Sequence, residues 1–231
     1  MPLDTVFLDA GGVLLYPNWS RISDVLGRHG VVVSAPSLAA AEPRAKRRLD
    51  VDRTIQTTND AHRGWLYFNL ILEHAGVPLS ARTDAALQEL HAYHTASNLW
   101  EYVPPHVRPA LDALRSRGLR LVVVSNANGT LRAHMRRVGL DDCFQCVLDS
   151  QDHGVEKPDP RFFRLALEQS GASLDTTIHV GDLYHVDVLG ARAAGLRGVL
   201  LDEASLYVEA DCPRVPSLPA LVEEILAGRF D

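Results

Sequence analysis

Five short runs of β-compatible, mostly apolar residues recur along this sequence, at 5–8, 119–125, 146–149, 177–181 and 198–201. They lack the polar alternation of a strand with one wet face, so each reads as a strand covered on both sides. Helix-period stretches at 129–138, 159–171 and 186–195 separate the last four runs, and another closes the chain at 217–226. Strands that alternate with single helices form βαβ units, and these require a parallel sheet with helices on both faces. The expected fold class is therefore α/β.

Between the first two runs lies a long stretch without strand character. Trp19, Ile22, Val25 and Leu26 fall on one helical face that ends near Gly30. From 37 to about 97 the sequence is helical and rich in Ala, Arg and Leu, with breaks at 50–58 and at Gly76-Val77-Pro78. Val103-Pro104-Pro105 marks the return, followed by a helix at 109–118. We expect a helical domain at 16–97 inserted into a core made of 1–15 and 98–231. At 231 residues the chain has room for both.

Charge and cysteine usage exclude several classes. The net charge of −6 opposes a general nucleic-acid surface, which needs a basic stripe. No apolar run approaches the roughly 20 residues of a membrane span. The first strand starts so early that no signal peptide is expected, and we expect a cytoplasmic protein. Cys143 and Cys146 have C-x-x-C spacing, but neither a second pair nor a His-x-His accompanies them. They read as small packed residues beside a strand.

Polar residues gather where the strands end. Asp9 follows the first strand, Ser125 and Asn126 close the second, Lys157 lies in the loop after the third, and Asp182 follows the fourth, with Asp187 in the next turn. In a parallel sheet these ends share one edge, and ligands bind in the crevice there. Gly11 and Gly12 after Asp9 let the backbone turn sharply and approach a ligand closely. Several carboxylates facing one point repel unless a cation or a lysine separates them. Oxygen-only ligands suit Mg²⁺, which binds through one or two carboxylates plus water and substrate phosphate. Lys157 and Ser125 would then meet a phosphoryl oxygen, and Asp9 would be the nucleophile of an aspartyl-phosphate pathway.

The ordered set Asp9-Ala10-Gly11-Gly12-Val13-Leu14, Ser125-Asn126, Lys157-Pro158-Asp159-Pro160 and Gly181-Asp182 with Asp187-Val188-Leu189-Gly190-Ala191-Arg192-Ala193-Ala194-Gly195 resembles the four motifs of the haloacid dehalogenase superfamily. The resemblance spans essentially the whole chain. It implies a Rossmann-like core with a helical cap inserted after the first motif. By it, Asp9, Ser125 and Lys157 are catalytic, and Gly12, Ser125, Asn126 and Lys157 bind substrate. Asp9, the Gly11 carbonyl and Asp182 would hold Mg²⁺, with Asp187 supporting them. The implied reaction is hydrolysis of a small phosphorylated metabolite.

One position departs from the pattern. Phosphatases of this family usually carry a second aspartate, the general acid and base, where this chain has Gly11. Its carbonyl can still serve a metal, but proton transfer would need a substitute such as Tyr16, His62 or His153, or a water filling the space beside Gly11. A carbon–halogen hydrolase needs no such proton, yet it has no use for an acidic metal-type cluster, and its relatives have an aromatic residue at the Gly11 position. Phosphonate-cleaving relatives need a cap lysine for a Schiff base. Lys46, the one lysine of the cap, lies in the run Arg44-Ala45-Lys46-Arg47-Arg48, which reads as a solvated helix face. A catalytically weak member that acts by binding a ligand or partner is the remaining alternative.

Overall fold

The computed structural model of the chain describes residues 2–51 and 60–231, and side chains within those stretches except at 60–65. Six strands form one sheet: β1 (Thr5–Leu8), β2 (Arg120–Ser125), β3 (Cys146–Asp149), β4 (Thr177–Gly181), β5 (Arg197–Leu201) and β6 (Arg214–Val215). Their order is β3-β2-β1-β4-β5-β6, and every pairing is parallel. The two-residue β6 was not expected, because so short a pairing carries no periodic signal.

Burial explains the apolar runs. Phe7 packs with Val122, Val124, Leu148, Phe162 and Phe163 in one cluster. Val6, Leu8, Leu121 and Val123, which alternate with these along the strands, are equally buried. Successive strand residues point to opposite faces, so the sheet is covered on both. One of the covering helices, Pro160–Ser170, has Asp159 as its N-cap and Pro160 in its first turn, both favourable there. Cys143 is buried, and Cys146 opens β3 with its thiol free.

The chain divides into two compact units, Met1–Tyr16 with Tyr102–Asp231, and Pro17–Glu101. The return falls at 101/102 rather than 97/98. Leu99 is buried in the core of the second unit, and the Trp100 ring lies 5.8 Å from those of Tyr67 and Phe68. Glu101 accepts from Asn18, Arg21 and Tyr93.

Among the described residues, helices Trp19–Arg28, Ala35–Val51, Asp60–His74 and Ala81–Ser97 form the second unit, around a core that includes Leu26, Leu38, Leu49, Ile71 and Leu87. Ser80 caps the last of them in a reciprocal pair with Thr83, just after the Gly76-Val77-Pro78 break. The expected break at 50–58 lies, after its first two residues, outside the described residues. The basic run is solvated only in part. Arg48 is half exposed and meets Glu73 at 3.1 Å. Lys46, by contrast, is 13% exposed and lies 3.7 Å from Glu42 Oε1. Glu42 is buried and accepts from the Tyr67 hydroxyl at 2.5 Å. A buried carboxylate requires partners, and a lysine one turn away is drawn inward to supply one.

Candidate active site

The sheet order reverses at β1, which has β2 on one side and β4 on the other. The crevice beyond the strand ends at such a point is where open α/β sheets bind ligands. Asp9 stays within the ladder, its N–H donating to the Val180 carbonyl at 2.9 Å. The chain then turns tightly: the Leu14 and Leu15 N–H groups donate to the Ala10 carbonyl, and Gly12 N–H to Leu15, at 2.8–2.9 Å. Gly11 lies in this turn, bridged to Leu15. Gly12 has φ +72°, and a Cβ there would lie 2.0 Å from Asp182 Oδ2. The second glycine therefore supplies both a left-handed backbone and the space that the Asp182 carboxylate fills.

Lys157 is the electrostatic centre. Its side chain is 1% exposed; Nζ donates to Asp187 Oδ1 at 2.6 Å and sits 2.9 Å from Asp9 Oδ1. Asp187 lies in a π-helical turn, Tyr184–Val188, where a plain α-helix from 186 was expected. It packs directly on β4, since a Cβ on Gly181 would come within 2.0 Å of its Cγ. Asp187 Oδ2 accepts from Leu183 N–H at 3.1 Å, and Oδ1 meets His179 Nε2 at 2.9 Å. Oxygen atoms of Asp9, Asp182 and Asp187 lie within 4.8 Å of one another. Ser125, at the end of β2, is buried beside them.

The charges follow from this packing. Loss of water raises the Asp9 pKa, Lys157 and Ser125 oppose the rise, and Asp187 adds to it. Burial disfavours charge on Asp187 as well, but the Lys157 ammonium and His179 outweigh it and hold the carboxyl well below the usual range. Burial also works against the Lys157 charge, and Asp187 with Asp9 overcome it, so Lys157 stays an ammonium. His179 is lowered by burial despite its bond to Asp187. Three carboxyl groups around one ammonium make an all-oxygen cluster. Such a donor set, with Asp9, Asp182 and Asp187 each offering one oxygen, fits a hard divalent cation.

Asn126, read from the sequence as a substrate group, has its side chain engaged in the chain itself. Its Nδ2 donates to the Lys157 carbonyl at 2.9 Å, and its Oδ1 accepts from Lys157 N–H at 2.8 Å. It ties the lysine loop to the end of β2. The substitute acids have engagements of their own. The Tyr16 hydroxyl donates to Glu203 at 2.5 Å, and the His153 ring lies 6.3 Å from that of Phe162. The His62 side chain lies outside the described residues.

Two further residues support the same edge: Asp149, which the sequence reading passed over, and His179, which reads from the sequence as a packed strand residue. Asp149 ends β3 and is buried; its Oδ2 accepts from Gly129 and Leu131 N–H, its Oδ1 from Gln151 N–H, at 2.8–3.1 Å. It thereby fixes the loop that follows Ser125 and Asn126, and the rule that polar residues close the strands would have found it. His179 is packed as that reading has it, since every residue of β4 is buried, but its bond to Asp187 had no signal in the sequence.

Residues 3–195 match the haloacid dehalogenase-like hydrolase family model. The chain is 33% identical, over 157 residues, to ribulose-1,5-bisphosphate 5-phosphatase of Halopiger xanaduensis, a match covering 67% of this chain and 64% of that one. It spans about three fifths of the length of the curated relatives it matches. Among solved structures, the HAD-hydrolase YfnB of Bacillus subtilis, bound to magnesium, aligns with a TM-score of 0.70 at 16% identity, over 97% of this chain and 99% of that one. A 2-haloacid dehalogenase from Pseudomonas syringae aligns with a TM-score of 0.61 at 25% identity, over 99% and 100%.

Proposed function

The chain belongs to the haloacid dehalogenase-like hydrolases, and on that premise we propose that it is a Mg²⁺-dependent phosphatase acting on a small phosphorylated metabolite through Asp9. The observation that carries this reading is the grouping of Asp9, Asp182 and Asp187 around Lys157. A halide-displacing site would gain nothing from an acidic cluster suited to a divalent cation, whereas a phosphoryl group brings negative charge that must be offset. The likeness to a sugar bisphosphate phosphatase supports the same substrate class.

Asp9 Oδ attacks phosphorus, the ester P–O bond breaks, and the leaving alkoxide takes a proton from water. Water then attacks the aspartyl-phosphate phosphorus, the P–O bond to Asp9 breaks, and inorganic phosphate leaves with Asp9 restored. Lys157 offsets phosphoryl charge from beside the nucleophile, and the Ser125 hydroxyl donates to a phosphoryl oxygen. Asn126 holds the Lys157 backbone in register with β2. Mg²⁺, held by Asp9, Asp182 and the Gly11 carbonyl, would lower the repulsion between nucleophile and phosphate.

Because Gly11 carries no acid, aryl and acyl phosphates, whose leaving groups need little protonation, should turn over faster than alkyl esters. General acid help is worth about 10²–10⁴ in rate. Gly11 also favours a second reading, a catalytically weak member that acts by binding. Hydrolysis of p-nitrophenyl phosphate with and without Mg²⁺, in the wild type and Asp9→Asn, tests the first reading; equal rates in the two proteins would sink it. Negligible turnover across a phosphate panel, with activity gained in Gly11→Asp, would support the second.

A further inference from the structure

We propose that His179 is a positioning residue for the reaction, acting through Asp187 on the Lys157 ammonium beside the nucleophile. The inference rests on the phosphatase reading for its activity test and on geometry for everything else. His179 sits in the middle of β4, fully buried, with its ring edge-on to Phe163 at 5.0 Å between centroids. Its Nε2 lies 2.9 Å from Asp187 Oδ1. A carboxylate can only accept, so the proton of this bond is on Nε2, which fixes the tautomer. Nδ1 is then a bare acceptor, and among the described residues it is buried without a hydrogen-bond partner.

That orphan atom is informative. A strand buried on both faces is served equally well by Leu or Ile, which bury no polar atom. An imidazole with one unsatisfied nitrogen is therefore explained by what its other nitrogen does. Asp187 Oδ1 receives two donors, Lys157 Nζ at 2.6 Å and His179 Nε2 at 2.9 Å, while Oδ2 receives Leu183 N–H. With three donors the carboxylate is held in one rotation. The histidine also shares the Oδ1 lone pairs with the lysine, so Asp187 does not draw the ammonium wholly to itself. Lys157 Nζ remains 2.9 Å from Asp9 Oδ1, where a transferring phosphoryl group would need it. Removal of His179 leaves Lys157 as the one side-chain donor to Oδ1 among these three, and the ammonium shifts toward Asp187.

His179→Leu and His179→Gln separate this role from packing, because a glutamine amide can present a donor near the Nε2 position and leucine cannot. For p-nitrophenyl phosphate, we expect kcat of the Leu variant to fall about 10–100-fold, as is usual when a group behind the reacting residues is lost. KM should stay near the wild-type value, and the Gln variant should recover most of the loss. Equal activity in the Leu variant and the wild type, or equal losses in two folded variants, would overturn the proposal. Long-range ¹H–¹⁵N spectra of the histidine rings provide a readout independent of turnover. The ring signal that disappears in His179→Gln should show the proton on Nε2; a proton on Nδ1 would overturn the proposal even if the wild type hydrolyses no phosphate. Absence of wild-type turnover alone would count against the phosphatase reading and leave the tautomer result to decide this one.

Discussion

Gly12→Ala should damage the site through a single added methyl group. Two effects coincide at this position. The backbone is left-handed at φ +72°, where an L-residue is strained by about 1–2 kcal/mol. The new Cβ would also lie 2.0 Å from Asp182 Oδ2, more than about 1 Å short of an ordinary contact. Gly139 provides the control. Its φ is +74°, yet a Cβ there meets nothing within 4 Å, so Gly139→Ala carries the strain without the clash. We expect Gly139→Ala to lower Tm by roughly 2–4 °C per kcal/mol of strain in a chain of this size. Gly12→Ala should lose a further 1–3 kcal/mol or so through overpacking. On the proposed function Asp182 is a Mg²⁺ ligand, and because Mg²⁺ demands near-ideal oxygen positions, its displacement should also weaken Mg²⁺ binding by at least about tenfold. Calorimetric Mg²⁺ titration and thermal unfolding of both variants check this. Equal stability and equal Mg²⁺ affinity in the two would refute the claim that Gly12 exists to seat Asp182.

Lys157→Ala leaves Asp187 and Asp9 without their cation in a buried place, so it should destabilise the chain by about 3–5 kcal/mol as well as abolish turnover, measurable by urea unfolding and steady-state kinetics. Asn126→Ala removes two hydrogen bonds to the Lys157 backbone; a loss of about 1–3 kcal/mol is expected, and an unchanged urea midpoint would contradict the clamp. Burial alone would raise the Glu101 carboxyl, but hydrogen bonds from Arg21, Tyr93 and Asn18 prevail and hold it below its ordinary value. A lowered folded pKa gives stability that is present above the unfolded value of about 4.3 and is lost as pH falls through the folded one. Acid unfolding below about pH 4.3 should therefore be shallower in Glu101→Gln, and identical pH profiles would show that the carboxylate is not held this way.

The sheet and the edge that carries the candidate site were legible because both depend on short-range information. Buried parallel strands appear as unbroken apolar runs, and their polar successors, Asp9 and Asp182, are fixed to one edge by topology alone. Asn126 was legible in place and not in role. Its partner is the backbone of Lys157, 31 residues away, and an asparagine at a strand end looks the same whether it faces a ligand or a neighbouring loop. His179 reads from the sequence as a packed strand residue, and its link to Asp187 was illegible for a different reason. In a strand buried throughout, no contrast between faces marks one residue as polar by purpose.

Asp187 shows how the remaining geometry arises. A regular helix begun at 186 would have left its carboxylate at the helix start, whereas the sequence reads Asp187 both as part of that turn and as a supporting member of the acidic cluster. The turn Tyr184–Val188 is instead π-helical, and such turns carry one more residue per hydrogen-bonded cycle than an α-helix. The strand below offers Gly181, whose missing Cβ is the space into which Asp187 settles, 2.0 Å from where that atom would be. Widened turn and vacant Cβ together bring the carboxylate down onto β4, within reach of Lys157 Nζ at 2.6 Å and His179 Nε2 at 2.9 Å. The same device operates at Gly12, where the space of another missing Cβ is filled by Asp182. Each glycine here makes room for a carboxylate belonging to another segment, so the two acidic side chains are placed by what their neighbours lack. On this basis Gly181→Ala should disturb Asp187 and Lys157 together, lowering both thermal stability and turnover, with the Gly12 turn left intact.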